Sequence, residues 1–316
     1  MGRYVAGDAP AMDRLVADTV KSIGAEIESL HVPKLGGVVL GGGYGRGEGG
    51  VFIAADGRQS LYNDLDFFAI AVDGVSDADL ATIADQLEPV SRRWTETLGI
   101  DVDFTVRTPW RIRHDQERLM IQELVHGYFD VAGKSGKELF ADVESREPSQ
   151  FPWTEAVRLL VNRGVGLMLA QESQDRVFAA RNVNKCILGV GDARLIAKGG
   201  YRWKATERAD ALRDRLYTSA MEWKFRPRPD GVCGWGEARG IWLRAVAEIM
   251  AAGQSSGALR RSAYQAVRWI VRRKTLGELQ TVGYGPVVRI LRRLERVVDK
   301  RQPIPASLRR DWEIFN

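Results

Sequence analysis

Two stretches of the sequence each carry a pair of aspartates two residues apart among apolar neighbours. Asp64 and Asp66 lie in Asn-Asp-Leu-Asp-Phe, and Asp101 and Asp103 lie in Ile-Asp-Val-Asp-Phe. Alternating polar and apolar residues predict strands, on which side chains two apart share a face. Clustered carboxylates repel one another, and strands disfavour aspartate. The sequence therefore predicts two strands whose acidic faces need a compensating charge.

A divalent cation would supply that charge. Mg²⁺ prefers carboxylate oxygens and substrate phosphates, and two ions about 3.5–4 Å apart can hold both reacting oxygens of a phosphoryl transfer. If the two strands are neighbours, three carboxylates converge on one point. We therefore expect two magnesium ions, replaceable by Mn²⁺, at Asp64, Asp66 and either Asp101 or Asp103.

A glycine-rich stretch, residues 41–50, follows the short apolar run at residues 38–40. The apolar run predicts a buried strand, and the glycines predict a tight turn whose backbone N–H groups can approach phosphate oxygens. Arg46 lies within this stretch and would add a guanidinium group for phosphate binding. The glycine spacing fits neither the dinucleotide-binding fingerprint nor the Walker loop.

Hydrophobic periodicity predicts the other elements of the chain. In the first half, helices are expected at residues 11–30, 76–98 and 113–126, with strands at residues 38–40, 64–72, 100–106 and 128–132. The dipeptide Asp56-Gly57 predicts a hairpin over residues 51–62. After a linker at residues 147–153, helices are expected at residues 154–170, 177–188, 192–198, 205–223, 238–250, 259–271 and 287–298.

The order of strand, glycine turn, Asp-x-Asp strand and a further strand with an aspartate resembles the DNA polymerase β-like nucleotidyltransferase superfamily. Residues 42–48, Gly-Gly-Tyr-Gly-Arg-Gly-Glu, look most like the motif of PII uridylyltransferases and related bacterial enzymes. The resemblance covers about residues 35–110 and extends weakly into the helical half. It implies an α/β (α+β) nucleotidyltransferase-like domain with a small mixed sheet at residues 1–146, and an all-helical domain at residues 147–316.

The resemblance also implies roles for individual residues. Asp64 and Asp66 match the metal-binding pair, and Asp103 matches the third carboxylate better than Asp101 does, because Val-Asp-Phe-Thr-Val fits the family pattern. The expected nucleotide-binding residues of this half are Gly42, Gly43, Tyr44 and Arg46. One departure is the 20 residues between Gly43 and Asp64, more than is usual in the family, which the predicted hairpin explains.

Three cations of the helical half lie on otherwise apolar helices: Arg163, Lys185 and Lys198. A charge on an apolar helix needs a partner, because burying it alone is costly. The triphosphate is one candidate partner, which would add these residues to the nucleotide-binding set. The carboxylates of Asp192 and Glu172 are the alternative.

The net charge of +5 is uneven, since residues 259–310 carry 14 Lys or Arg against 3 Asp or Glu. This segment is a candidate surface for an acidic partner or nucleic acid, or a solvated helix face. The two cysteines are 47 residues apart and predict neither a disulfide framework nor a zinc site. No stretch approaches the roughly 20 apolar residues of a membrane span, so we expect a cytoplasmic protein.

The pattern and the resemblance together predict an enzyme of the EC 2.7.7 type. It would transfer a nucleotidyl group from a nucleoside triphosphate, such as ATP, to a hydroxyl acceptor and release pyrophosphate. The acceptor stays open between a small molecule, a protein and a nucleic acid. Two alternatives remain: a catalytically silent nucleotide-binding or antitoxin-like partner protein of the same fold, and a basic nucleic-acid-binding protein.

Overall fold

The computed structural model describes residues 2–257, 260 and 285–315, so the helix expected at residues 259–271 lies largely outside the described residues. The chain divides into two compact units. The first comprises Met1–Arg146 and Lys224–Arg228, and the second comprises Glu147–Trp223 and Pro229–Asn316. We keep the domain boundary at residue 147 as a proposal. Segment 224–228 is a part of the first unit that no sequence pattern indicates.

The first unit is built on a small mixed sheet. Its strands are β1 (Leu35–Leu40), β2 (Val51–Ile53), β3 (Gln59–Leu61), β4 (Leu65–Ala71), β5 (Val102–Arg107) and β6 (Phe129–Gly133). The main sheet has the order β5-β4-β1-β6, and β2 pairs with β3 in the expected hairpin. The pair β4–β5 is parallel and the other two pairs are antiparallel. The expected mixed sheet is therefore confirmed.

Helices cover both faces of the main sheet. They are α1 (Pro10–Leu30), α2 (Gly42–Gly45), α3 (Asp77–Leu98), α4 (Pro109–His114), α5 (Leu119–His126) and α6 (Gly136–Leu139). On the first face, Leu65 and Phe67 pack with buried residues of α1 and α3. On the second face, Phe68 and Ile70 pack with Ile112 of α4 and with residues of α5. Since strand side chains alternate, Asp66 projects from the second face.

The second unit is helical throughout its described residues, as expected. Its helices are α7 (Trp153–Glu172), α8 (Arg176–Ala197), α9 (Ala205–Leu212), α10 (Arg215–Phe225, whose last two residues belong to the first unit), α11 (Trp235–Ser255), α12 (Gly285–Asp299) and α13 (Ala306–Phe315). A 3₁₀ turn at Pro148–Gln150 precedes them. Trp242 of α11 is fully buried and donates to the carbonyl oxygen of Leu160 at 2.8 Å, which ties α11 to α7.

Some helix boundaries differ from the sequence expectations. Residues 177–188 and 192–198 form one helix, α8, because Gly189 and Gly191 are packing positions and not breaks. A side chain at Gly189 would overlap Arg163, and one at Gly191 would overlap the Tyr217 ring. The helix expected at residues 205–223 is interrupted at Arg213, which has a left-handed φ of 51°.

The expected helix at residues 113–126 is also two helices, α4 and α5. Thr108 caps α4 by accepting the N–H of Arg111, and Pro109 occupies its first turn, so this helix begins earlier than expected. Among the residues that the structure describes, no helix is both long and apolar enough to cross a membrane.

Candidate active site

Asp66 and Asp103 lie side by side on neighbouring strands. In the parallel pair β4–β5, Asp66 is directly opposite Asp103. Neighbouring strands are about 4.8 Å apart and residues in register share a face, so both carboxylates leave the second face together. Asp64 immediately precedes β4, and the carbonyl oxygen of Asp101 accepts the N–H of Leu65 at 2.9 Å. The register thus pairs Asp103, and not Asp101, with Asp66.

Negative charge is concentrated around Asp103. The side chain of Asp103 is exposed to solvent on one side. Partial desolvation of its carboxyl group raises the pKa of Asp103, and the charges of Asp101, Asp64 and Glu88 raise it further. Within the described residues, no three His, Cys, Asp or Glu side chains stand close enough together to hold a metal ion. The aspartates therefore offer oxygen donors on one face, but a cation would need further oxygens to complete its shell.

Side chains of α3 hold the start of β5 in place. The Ser91 hydroxyl donates to the carbonyl oxygen of Val102 at 2.6 Å, and the Thr95 hydroxyl accepts the Val102 N–H at 3.0 Å. Because β5 is an edge strand, these outward-facing backbone groups have no neighbouring strand. The two hydroxyls therefore fix the strand immediately before Asp103.

The glycine turn lies against the Asp66 carboxylate. Gly41 donates its N–H to the carbonyl oxygen of Asp66 at 2.8 Å, and Gly42 follows with a left-handed φ of 61°. A side chain at Gly42 would overlap the Asp66 carboxylate. Gly42 and Gly43 open the single helical turn α2, and the first N–H groups of a helix have no acceptor within it. The expected glycine turn is thus a helical turn beside Asp66.

Tyr44 is a core residue. Its side chain is fully buried, its hydroxyl donates to the carbonyl oxygen of Gly50 at 3.0 Å, and the same hydroxyl accepts the N–H of Tyr62 at 3.2 Å. A side chain at Gly49 would overlap its ring. A direct role of Tyr44 in nucleotide binding stays a prediction. The observed contacts of Tyr44 tie the glycine stretch to the β2–β3 hairpin.

Arg46 belongs to a group of four charged side chains. Its guanidinium lies 3.4 Å from Glu123 and 3.7 Å from Glu48, and Lys224 lies 3.0 Å from the same oxygen of Glu48. Arg46 is thus already paired with carboxylates, and direct phosphate binding by it stays a prediction. Sequence reasoning missed Lys224 because it is 176 residues from Glu48.

The three expected cations of the helical half all belong to the second unit. The side chain of Arg163 on α7 packs against Gly189 of α8. Lys185 is half-buried on α8, and Lys198 is exposed directly after that helix. The aspartates and the glycine turn belong to the first unit. Triphosphate binding by these cations therefore stays a prediction.

The two carboxylates considered as their partners have other contacts. Asp192 lies 3.1 Å from the guanidinium of Arg208 and accepts the Tyr217 hydroxyl at 2.7 Å. Glu172 accepts the N–H of Ile304 at 3.1 Å. Asp192 therefore serves as the counter-ion of Arg208, which is only 4% exposed.

Comparison with known proteins gives a distant structural neighbour. No protein-family model and no curated protein matches the chain. Among solved structures, the chain is similar to spectinomycin adenyltransferase AAD(9) from Enterococcus faecialis, determined with ATP and spectinomycin. The TM-score is 0.42 and the identity 13%, over 75% of this chain and 97% of that one. This likeness is too low to assign a function.

Proposed function

We propose that this chain is a magnesium-dependent nucleotidyltransferase that transfers a nucleoside monophosphate from a nucleoside triphosphate to a hydroxyl acceptor. The main support is the register of Asp66 beside Asp103, with Gly42 against the Asp66 carboxylate. Two acidic side chains on one face next to an open backbone turn suit a metal-bound triphosphate. The motif resemblance of residues 35–110 points the same way.

Each group has a role in this proposal. Gly42 and Gly43 let the backbone approach the phosphates, since neither has a side chain. Asp64, Asp66 and Asp103 would hold Mg²⁺, which supplies charge neutralisation when bound. The acceptor oxygen forms a bond to the α-phosphorus while the bond from that phosphorus to pyrophosphate breaks, and the hydroxyl proton passes to solvent. Positioning is then the main contribution of the chain.

Nucleotide binding is the first test. We expect a non-hydrolysable analogue of at least one of the four common nucleoside triphosphates to bind the whole chain, and to bind much more weakly when EDTA replaces Mg²⁺. Asp66→Asn should weaken this binding at least about 10-fold, since it removes a charged ligand. Asp85→Asn is the matched control, because Asp85 is exposed on α3, which packs on the first face. Equal binding by both variants would contradict the proposed site.

Turnover is the second test. Pyrophosphate release is measured with each triphosphate, Mg²⁺ and a panel of hydroxyl acceptors that includes small molecules, proteins and RNA 3′ ends. Asp103→Asn should lower the rate by about 10²-fold or more, as loss of one charge-stabilising group does elsewhere. Magnesium-dependent binding without release on any acceptor would favour the silent nucleotide-binding protein. Salt-sensitive retention on nucleic acid without triphosphate binding would favour the third alternative.

A further inference from the structure

Arg107 lies on the same sheet face as the paired aspartates. Side chains of β5 alternate, so Asp103, Thr105 and Arg107 project from the second face. Arg107 is opposite Ile70 on β4, whose side chain belongs to the core of that face. Four residues of strand separate the Cα atoms of Asp103 and Arg107 by about 13 Å. One strip of the edge strand thus runs from an acidic end to a cationic end.

Arg107 forms no direct ion pair with a carboxylate in the part of the chain that the structure describes. Its side chain is half-buried, and its guanidinium donates to the carbonyl oxygen of Val106 at 3.2 Å. Burial lowers the pKa of Arg107, the charge of Arg111 lowers it further, and Asp115 opposes both effects. Partly desolvating a cation without a direct ion pair is unfavourable, and a bound anion would offset that cost.

The carboxylate whose charge acts on Arg107, Asp115, is already paired with other arginines. Asp115 is 7% exposed and lies 2.8 Å from the guanidinium of Arg111 and 3.5 Å from that of Arg118. Asp115 is therefore the counter-ion of two other arginines. The charges that act on Arg107 are thus the guanidinium of Arg111 and a carboxylate already paired with two other arginines.

We propose that Arg107 binds an anionic group of the acceptor, so that the acceptor is a phosphorylated or carboxylated hydroxyl compound. The inference rests on the proposed function for the position of the reacting hydroxyl, which would lie at the Asp103 end of the strip. The anionic group would lie at the Arg107 end. A planar guanidinium suits both phosphate and carboxylate oxygens because it offers two parallel donors. A cationic acceptor, in contrast, would be repelled from this end.

Anion binding is tested without any turnover. Inorganic phosphate is titrated into the whole chain by calorimetry, and Arg107→Gln should weaken the affinity about 10- to 100-fold, the usual effect of losing a charge-assisted hydrogen bond. Arg107→Lys keeps the charge but not the two parallel donors, so its affinity should be intermediate. Arg14→Gln is the matched control, since Arg14 is an exposed arginine of α1, which packs on the opposite face.

The stability of the same variants separates binding from folding. Arg107→Gln should leave the unfolding midpoint in phosphate-free buffer unchanged or raise it, because it removes repulsion from Arg111. Arg111→Gln should lower that midpoint, because it takes a partner from buried Asp115. Phosphate affinity that is unmeasurable in the wild type, or equal in Arg107→Gln and wild type, overturns the proposal.

The acceptor class is tested by pyrophosphate release. Sugar phosphates and hydroxycarboxylates should be used in preference to neutral polyols and cationic amino sugars, and the more active of the first two identifies the anion. Arg107→Gln should raise the acceptor KM about 10-fold or more and leave triphosphate affinity unchanged. Preference for a neutral or cationic acceptor overturns the inference. If the wild type binds no triphosphate, the proposed function is refuted. The phosphate titration still tests anion binding by Arg107 in that case.

Discussion

Replacing Gly42 by alanine should abolish most nucleotide binding while the chain stays folded. Gly42 has a φ of 61°, where an L-residue with a side chain costs about 1–2 kcal/mol. The new Cβ would also lie 2.0 Å from Oδ2, 2.9 Å from Cγ and 3.1 Å from Cβ of Asp66. Ordinary contact begins at 3.4 Å, so the oxygen has to move by about 1.4 Å.

The backbone of Asp66 cannot absorb that movement easily. Leu65 and Phe67 on either side are fully buried, and the Asp66 carbonyl oxygen accepts the Gly41 N–H at 2.8 Å. The carboxylate must therefore rotate away from its present position. Misplacing a reacting or ligating group by about 1 Å can cost about 100-fold in rate. We expect Gly42→Ala to lose magnesium-dependent nucleotide binding and turnover by about that factor while remaining folded.

Gly99→Ala is the matched control for the backbone effect. Gly99 ends α3 with a φ of 68°, and a Cβ there meets no atom within 4 Å. Both variants carry the cost of a side chain in a left-handed backbone conformation, which urea denaturation measures. Only Gly42→Ala also displaces a carboxylate. Titration with a non-hydrolysable triphosphate and Mg²⁺ then compares binding per folded molecule. If Gly42→Ala binds as tightly as Gly99→Ala, the Asp66 carboxylate is not a ligand of the nucleotide complex.

Three further predictions concern charge and burial. Because the pKa of Asp103 is raised in the folded chain, protonated Asp103 stabilises the fold at low pH, and this contribution is lost as pH rises through that pKa. Asp103→Asn should therefore stabilise the metal-free chain near neutral pH but not in acid. Urea denaturation at several pH values would show the difference. Arg208→Ala should cost about 3–5 kcal/mol in unfolding free energy by the same method, since it removes a buried guanidinium that pairs with Asp192 and donates to the Tyr201 and Tyr217 hydroxyls. Tyr44→Phe should cost about 0.5–1.5 kcal/mol, because the bridging hydroxyl is lost while the carbonyl oxygen of Gly50 and the N–H of Tyr62 still bond to each other. The thermal unfolding midpoints of this variant and the wild type would test this.

The parts of the site that depend on local periodicity could be predicted from the sequence. Alternation around Asp66 and Asp103 predicts strands and the shared face of each acidic pair, and the glycines after β1 predict a turn. The parallel register of Asp66 with Asp103 could only be supposed, because strand pairing depends on the path of the intervening helix α3. The sequence pattern therefore indicates which aspartates and glycines are candidates, and the fold places Asp66 beside Asp103.

The features that sequence reasoning missed depend on contacts between elements distant in sequence. Gly189 and Gly191 suggest the end of a helix, but each makes room for a side chain from another helix. Tyr44 lies in a glycine-rich stretch that suggests a loop, yet its hydroxyl links residues 50 and 62 and buries the ring. Lys224 reaches Glu48 across most of the chain. Such packing leaves no periodic signal, because it depends on which elements the fold brings together.

Both faces of the main sheet carry core packing, and the paired aspartates lie on the second face. The first face is covered by α1 and α3, and α3 also satisfies the outward backbone groups of Val102 just before Asp103. On the second face, core packing involves Phe68 and Ile70, while Asp103 at the start of β5 stays exposed. The carboxylates thus sit on a strand pair whose neighbouring side chains, Leu65, Phe67 and Val102, are fully buried. Under the proposed function, substituting the aspartates should therefore lower activity far more than stability, and selectivity for the acceptor should depend on the edge strand and Arg107.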